Sequence, residues 1–163
     1  MPRALAALLR HTTDGELPAL RNLSETLSAV KPAGGDSWSP KEELGHLIDS
    51  AANNHIRFVL AATEPEMRGL PYAQNAWVDL HGYQEMPWTT VVDFWYQYNS
   101  FLAELVDRIP AEKLEAKCFI GTSTNVTLGF LIEDYVLHMR HHIDHLLARP
   151  VVTAYPAPAT AKA

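Results

Sequence analysis

The last long amphipathic stretch, residues 127–149, constrains the fold most, because its apolar stripe runs straight into histidines. Leu128, Leu131, Tyr135, His138, His142 and the His145/Leu146 pair recur at spacings of three and four, the repeat of one helical face. That face must be buried against other helices, so His138 and His142 are core-facing positions. His141 falls beside the stripe, and Arg140 and Asp144 fall away from it. His141 and His145 belong to the surround or the rim rather than to the centre. Residues i and i+4 of a helix have Cβ atoms about 5–6 Å apart. Two imidazoles so spaced can converge on one ion at metal–nitrogen distances of about 2.0–2.1 Å. A pair supplies only two ligands, however, and two inward histidines on one helix also occur as hydrogen-bonded core residues. Met139 and Arg140 follow His138, so the glutamate of the H-E-x-x-H zinc proteases is absent.

A third donor must come from elsewhere, and SWSPKEELGHLIDSAANNHIRFVLAAT offers it. Ser39 reads as an N-cap, Pro40 as the first helical residue and Glu42 as the other half of a capping box. The helix so started spans residues 40–63, with Leu44, Leu47, Ile48, Ala51, Phe58 and Ala62 as its core stripe. His46 lies beside that stripe and is the best third ligand. Ser50, Asn53 and Arg57 continue from it as a polar seam, since about 100° per residue returns each near the same face. The opposite flank, Lys41, Glu42 and Asp49, reads as the solvated side. His55 lies about 90° from His46 around the helix and reads as peripheral, while His11 and His81 have no periodic partner.

Two further helices complete the set. Leu17, Leu20, Leu23, Leu27 and Val30 form a stripe, starting after an expected break at Thr12, Thr13, Asp14 and Gly15, with Pro18 in its first turn. A third helix is expected over residues 90–108, capped by Thr89 and stopped by Pro110. Residues 64–88 form a long connection with several aromatics and a short helix at 74–81. A small hairpin is expected around GTSTN. Four amphipathic helices with one long crossover between the second and third specify an all-α four-helix bundle.

The chain has 163 residues, 47% hydrophobic and 20% charged, which fits one globular domain over residues 1–150. The Pro/Ala-rich tail, 151–163, reads as extended or frayed. A net charge of −6 argues against a nucleic-acid partner, which favours a basic patch. No apolar run reaches the ~18 residues of a membrane span. The one cysteine, Cys118, has no partner for a disulfide within the chain and reads as an ordinary buried side chain. A cytoplasmic location is the expectation.

Three pieces, WSPKEELGHLIDSAANNHIRF, YAQNAWVDL and YVLHMRHHIDHL, resemble the DinB-like superfamily, in particular its YfiT-like branch, which includes bacillithiol transferases. The likeness spans roughly residues 17–147. It implies an up-down-down-up bundle and a divalent metal, zinc or nickel, held by three histidines that fall here on His46, His138 and His142. It also implies a homodimer and thiol-dependent transfer or isomerisation of a small-molecule substrate. The chain departs from the branch in its short N-terminal part and at Ala51–Ala52. Three neutral imidazoles leave a position open, as in catalytic rather than structural zinc sites. The leading expectation is S-transfer, in which a low-molecular-weight thiol bound to the metal attacks an electrophile. Asn53 and Arg57 would orient the thiol's polar or anionic parts. Asp134, one turn before His138, is either a support for that ring or, more in keeping with its position, solvent-exposed. The alternatives are a hydrolase using metal-bound hydroxide, for which no general base is marked, and a non-catalytic binding protein.

Overall fold

Four long helices are each amphipathic, and their apolar faces close on one another. The computed structural model describes residues 1–32, 37–121, 125–153 and 155. Helix α1 spans Pro2–Asn22 and is followed by a single turn, α2, at Glu25–Ser28. Helix α3 spans Pro40–Thr63, α4 Gln74–His81, α5 Trp88–Asp107 and α6 Leu128–Leu146. Leu44, Leu47, Phe58, Trp95, Leu102, Ile132 and Met139 are fully buried where α3, α5 and α6 meet, and Leu9 and Leu20 of α1 join them.

Side-chain pairs give the helix directions. Arg3, Arg10 and Arg21 of α1 pair with Asp107, Glu104 and Asp93 of α5, so these two run antiparallel. Glu43 of α3 meets His142 and His145, and Ser50 meets His138, so α3 and α6 are antiparallel too. The start of α3 lies beside the start of α5, where Ser39 Oγ donates to Gln84 Oε1. Farther along, His55 bonds to the Tyr98 hydroxyl at 3.1 Å, so α3 and α5 run parallel. The order is up-down-down-up. A parallel neighbour needs a crossover the length of the bundle, which explains the long segment between α3 and α5.

The capping box at the head of α3 is present. The Glu42 amide donates to Ser39 Oγ at 3.3 Å, and the Ser39 amide donates to Glu42 Oε2 at 2.8 Å. It fixes where the helix starts and hence which way His46 faces. The short helix at 74–81 and the Thr127 cap of α6 also match the sequence reading; the Phe130 amide donates to Thr127 Oγ1 at 3.1 Å.

Several expectations need correction. No break occurs at Thr12–Gly15: α1 runs through it and through Pro18. Thr12 and Thr13 are buried, and the Thr13 hydroxyl donates back to the carbonyls of Leu9 and Arg10 at 3.1 and 3.0 Å. Proline costs the helix one hydrogen bond, to the carbonyl four residues earlier. Here that residue is Asp14, which is exposed to water. Leu27 and Val30 are 59% and 54% exposed, so the predicted stripe ends at Leu23. Pro87, not Thr89, precedes the first turn of α5. The supposed solvated flank of α3, Lys41, Glu42 and Asp49, is buried, and so is Glu43.

The expected hairpin exists as β2, Lys117–Ile120, against β3, Val126–Thr127; the residues of GTSTN at 122–124 lie outside the described residues. A strand the sequence reading lacked, β1 at Met67–Gly69, pairs parallel with β2. This three-stranded patch draws the crossover over one end of α3. No helix among the described residues is long and apolar enough to cross a membrane.

Candidate metal centre

His46, His138 and His142 converge between α3 and α6. Each offers a nitrogen, and the three atoms lie within 4.8 Å of one another. His46 Nε2 and His138 Nε2 are 3.1 Å apart, and the His142 ring centroid is 4.8 and 4.5 Å from those of His46 and His138. Two nitrogens that each sit about 2.1 Å from one ion are roughly 3.0–3.4 Å apart, so the spacing suits a shared cation. His46 is 1% exposed, and the side chain of His142 is 20% exposed.

The surroundings hold the rings in the form a metal needs. Burial, reinforced by neighbouring His142, pulls the pKa of His46 down to about 3. Burial, with lesser contributions from His142, His46 and neighbouring His141, pulls that of His138 down to about 2. Both imidazoles are therefore neutral at physiological pH and keep a lone pair for a cation. Glu43 accepts from His142 Nδ1 at 2.9 Å, which leaves His142 Nε2 as the lone-pair nitrogen. Ser50 Oγ is 3.4 Å from His138 Nδ1 and plays the same part less closely. His46 Nδ1 is buried with no partner among the described residues, and its ring leans on Trp38 at 4.8 Å. The donor set fits a divalent cation: three imidazole nitrogens, with outer partners that fix two of the tautomers.

Glu43 carries more of the site than sequence reasoning assigned to it. Its side chain is 5% exposed and also bonds His145 Nδ1 through both oxygens at 2.8 Å. The signal lay in the spacing: Glu43, His46, Ser50, Asn54 and Arg57 follow one another at intervals of three and four. The polar seam expected to start at His46 thus begins with a carboxylate.

Beside His138 lies a cavity of about 210 Å³, lined among others by Ser50, Asn54, Arg57, Tyr72, Asp134 and Tyr155. Arg57 is among its lining residues. Asn53 is turned to the backbone, donating to the Asp49 carbonyl at 2.9 Å, while the unpredicted Asn54 faces the cavity. Asp134 is half-buried and lines the cavity rather than facing open solvent. Tyr155, from the tail, packs its ring 5.1 Å from that of His138; residues 154 and 156–163 lie outside the described residues. His55 is half-buried against Tyr98, and His81, which showed no sequence partner, bonds Asp49 at 2.9 Å. Buried Cys118 stands apart from this cavity.

Comparisons with known proteins agree with this architecture. A protein of Oceanobacillus iheyensis named "Putative metal-dependent hydrolase" is 26% identical over 123 residues, covering 76% of this chain and 70% of that protein. A Bacillus cereus protein of the same name is 30% identical over 110 residues, covering 67% of this chain. The present chain spans 62% of that second relative. Among solved structures, YfiT from Bacillus subtilis, described as "a probable metal-dependent hydrolase with an unusual four-helix bundle topology", superposes with a TM-score of 0.79 at 21% identity. The match covers 90% of this chain and 84% of YfiT, and shows a shared fold. The family model described as the DinB superfamily matches residues 5–146, and the chain belongs to that superfamily.

Proposed function

We propose that the protein is a metal-dependent enzyme acting on small molecules. In this reading His46, His138 and His142 hold a divalent cation, zinc or nickel. The cavity beside His138 receives a low-molecular-weight thiol that is transferred to an electrophile. The observation that carries the reading is three imidazoles, two of them held neutral by burial, converging beside a polar cavity. Ser50 Oγ is engaged by His138 and by the Asn54 amide, which donates to it at 3.3 Å. Burial pushes the Cys118 thiol up to about 11, and it donates to the Ala116 carbonyl at 3.6 Å. In this reading the nucleophile enters from solution.

His46, His138 and His142 would hold the cation, which would supply a lowered pKa to a thiol or water bound to it. The chain supplies the rest. Glu43 and Ser50 orient two of the rings, and Arg57 anchors an anionic part of the co-substrate. Tyr155 limits access of water to His138. In the transfer, the thiol sulfur forms a bond to the electrophilic carbon. The leaving group departs with the electron pair of the broken bond, and the thiol proton passes to solvent.

Hydrolysis is the second reading, favoured by the name that the Oceanobacillus and Bacillus relatives carry. Water then takes the place of the thiol. Metal analysis tests the common core: the loaded protein should hold about one ion per chain, and His138→Ala should lose most of it. An unchanged metal content in that variant rejects the site. Loaded protein mixed with a thiol and 1-chloro-2,4-dinitrobenzene should then outpace the free thiol. Ester cleavage without any thiol, and no thiol-dependent rate, would select hydrolysis instead.

A further inference from the structure

The cavity beside His138 holds one fixed positive and one fixed negative group, and the two are not paired with each other. Arg57 comes from α3 and Asp134 from α6, and both line the same space. Among the described residues neither has an oppositely charged partner. Among the described residues the Arg57 guanidinium donates only from Nη2 to the Leu70 carbonyl, at 3.0 Å, and the Asp134 side chain makes no hydrogen bond. An arginine has five N–H donors and a carboxylate about four acceptor sites, so most of the capacity of both is unspent. Burial works against both charges: it lowers the pKa of Arg57 and raises that of Asp134. A structural ion pair would have brought them together, whereas here each is left facing the cavity.

Arg57 is also held in place. A Cβ on Gly69 would come within 3.1 Å of its Nε, so the guanidinium lies against the bare backbone of β1. The Leu70 carbonyl then fixes one of its terminal nitrogens. A planar donor group fixed in this way suits a carboxylate, which it can grip with two parallel hydrogen bonds. Asp134, one helical turn before His138, lines the same cavity from α6.

We propose that this cavity recognises an α-amino-acid zwitterion, with Arg57 binding the carboxylate and Asp134 the ammonium, so that the co-substrate is a cysteine-like thiol rather than a simple mercapto-acid or aminothiol. The inference deepens the S-transfer reading and rests on it for the thiol. The recognition itself needs only the cavity.

Thioethers separate the two, because they carry the head group without a thiol to transfer. Calorimetric titration of the metal-loaded full chain with S-methyl-L-cysteine, 3-(methylthio)propionate and 2-(methylthio)ethylamine should rank the zwitterion first. The margin over either half should be about tenfold or more, the usual weight of one charge-assisted hydrogen-bonded contact. Arg57→Gln should bring the zwitterion down to the level of the amine. Asp134→Asn should bring it down to the level of the acid while leaving acid binding unchanged. Equal affinities of the wild-type protein for all three compounds overturn the proposal, without recourse to any variant. So does a zwitterion preference that survives both substitutions. Selective binding of S-methyl-L-cysteine without thiol-dependent turnover would reject S-transfer and leave this recognition standing. Turnover that is indifferent to the amino group would do the reverse.

Discussion

A carboxylate one turn before a histidine decides how well that part of the centre is built. Glu43 is buried at the contact of α3 with α6, and its oxygens are divided between His142 and His145. It fixes the His142 ring with Nε2 toward the other two imidazoles. Outer partners of this kind typically change metal affinity about 10–100-fold when removed. Glu43→Ala should therefore weaken binding by about that factor in a chelator competition, with His46 and His138 still in place. His145→Ala should do much less, since its side chain is 58% exposed and its loss leaves the Glu43–His142 bond intact. Equal effects of the two substitutions, or none, would count against a positioning role. The three histidines themselves were legible because helical spacing is a local rule. Glu43 was not, because a glutamate in the first turns of a helix also reads as a favourable charge near the N-terminus. Its inward direction depends on α6, more than ninety residues away in the chain.

At the scale of single elements, the heads of α3 and α6 were readable from their caps, whereas α1 was not. Thr12, Thr13, Gly15 and Pro18 all argue for a boundary on propensity alone, but tertiary burial of one face overrides propensity. The crossover shows a similar dependence on packing. Tyr83 lays its ring directly on Gly45, so closely that a Cβ there would sit 2.1 Å from the ring. Its hydroxyl donates to Asp49 Oδ1 at 2.7 Å. Gly45 is thus the hole that receives the crossover, one residue from His46. Gly45→Ala should destabilise the fold by about 1–3 kcal/mol, the usual cost of forcing extra volume into a packed site. Helix propensity alone would favour alanine by about 1 kcal/mol, so the sign of the change separates the two effects. In a Tyr83→Ala background the same substitution should cost little or become favourable. A double-mutant cycle in urea gives the coupling directly, and a coupling near zero would show that Tyr83 does not press on Gly45.

For the molecule as a whole, the number of helices could be read from periodicity. Their directions could not, because they are set by contacts between distant segments; resemblance alone suggested them. The same long-range packing gives the metal-free protein a defined response to acid. His46 and His138 are held neutral in the fold, at about 3 and about 2, whereas in an unfolded chain each titrates near about 6.5. Between those limits the unfolded chain binds more protons, so stability rises with pH across the window. The contribution is complete above about pH 6.5 and is lost as the pH falls toward the folded values. Each imidazole accounts for a slope of up to about 1.4 kcal/mol per pH unit. Asp49 and Asp134 act in the opposite sense, because burial raises their carboxyl pKa values and the folded chain then takes up protons first. Substituting His46 alone separates the histidine contribution from theirs. Urea unfolding of the metal-free protein between about pH 7 and pH 5 should show the loss. His46→Gln should make the dependence shallower by about one proton's worth. A stability independent of pH across that interval, or an unchanged slope in the variant, would mean that these rings are not kept neutral by the fold.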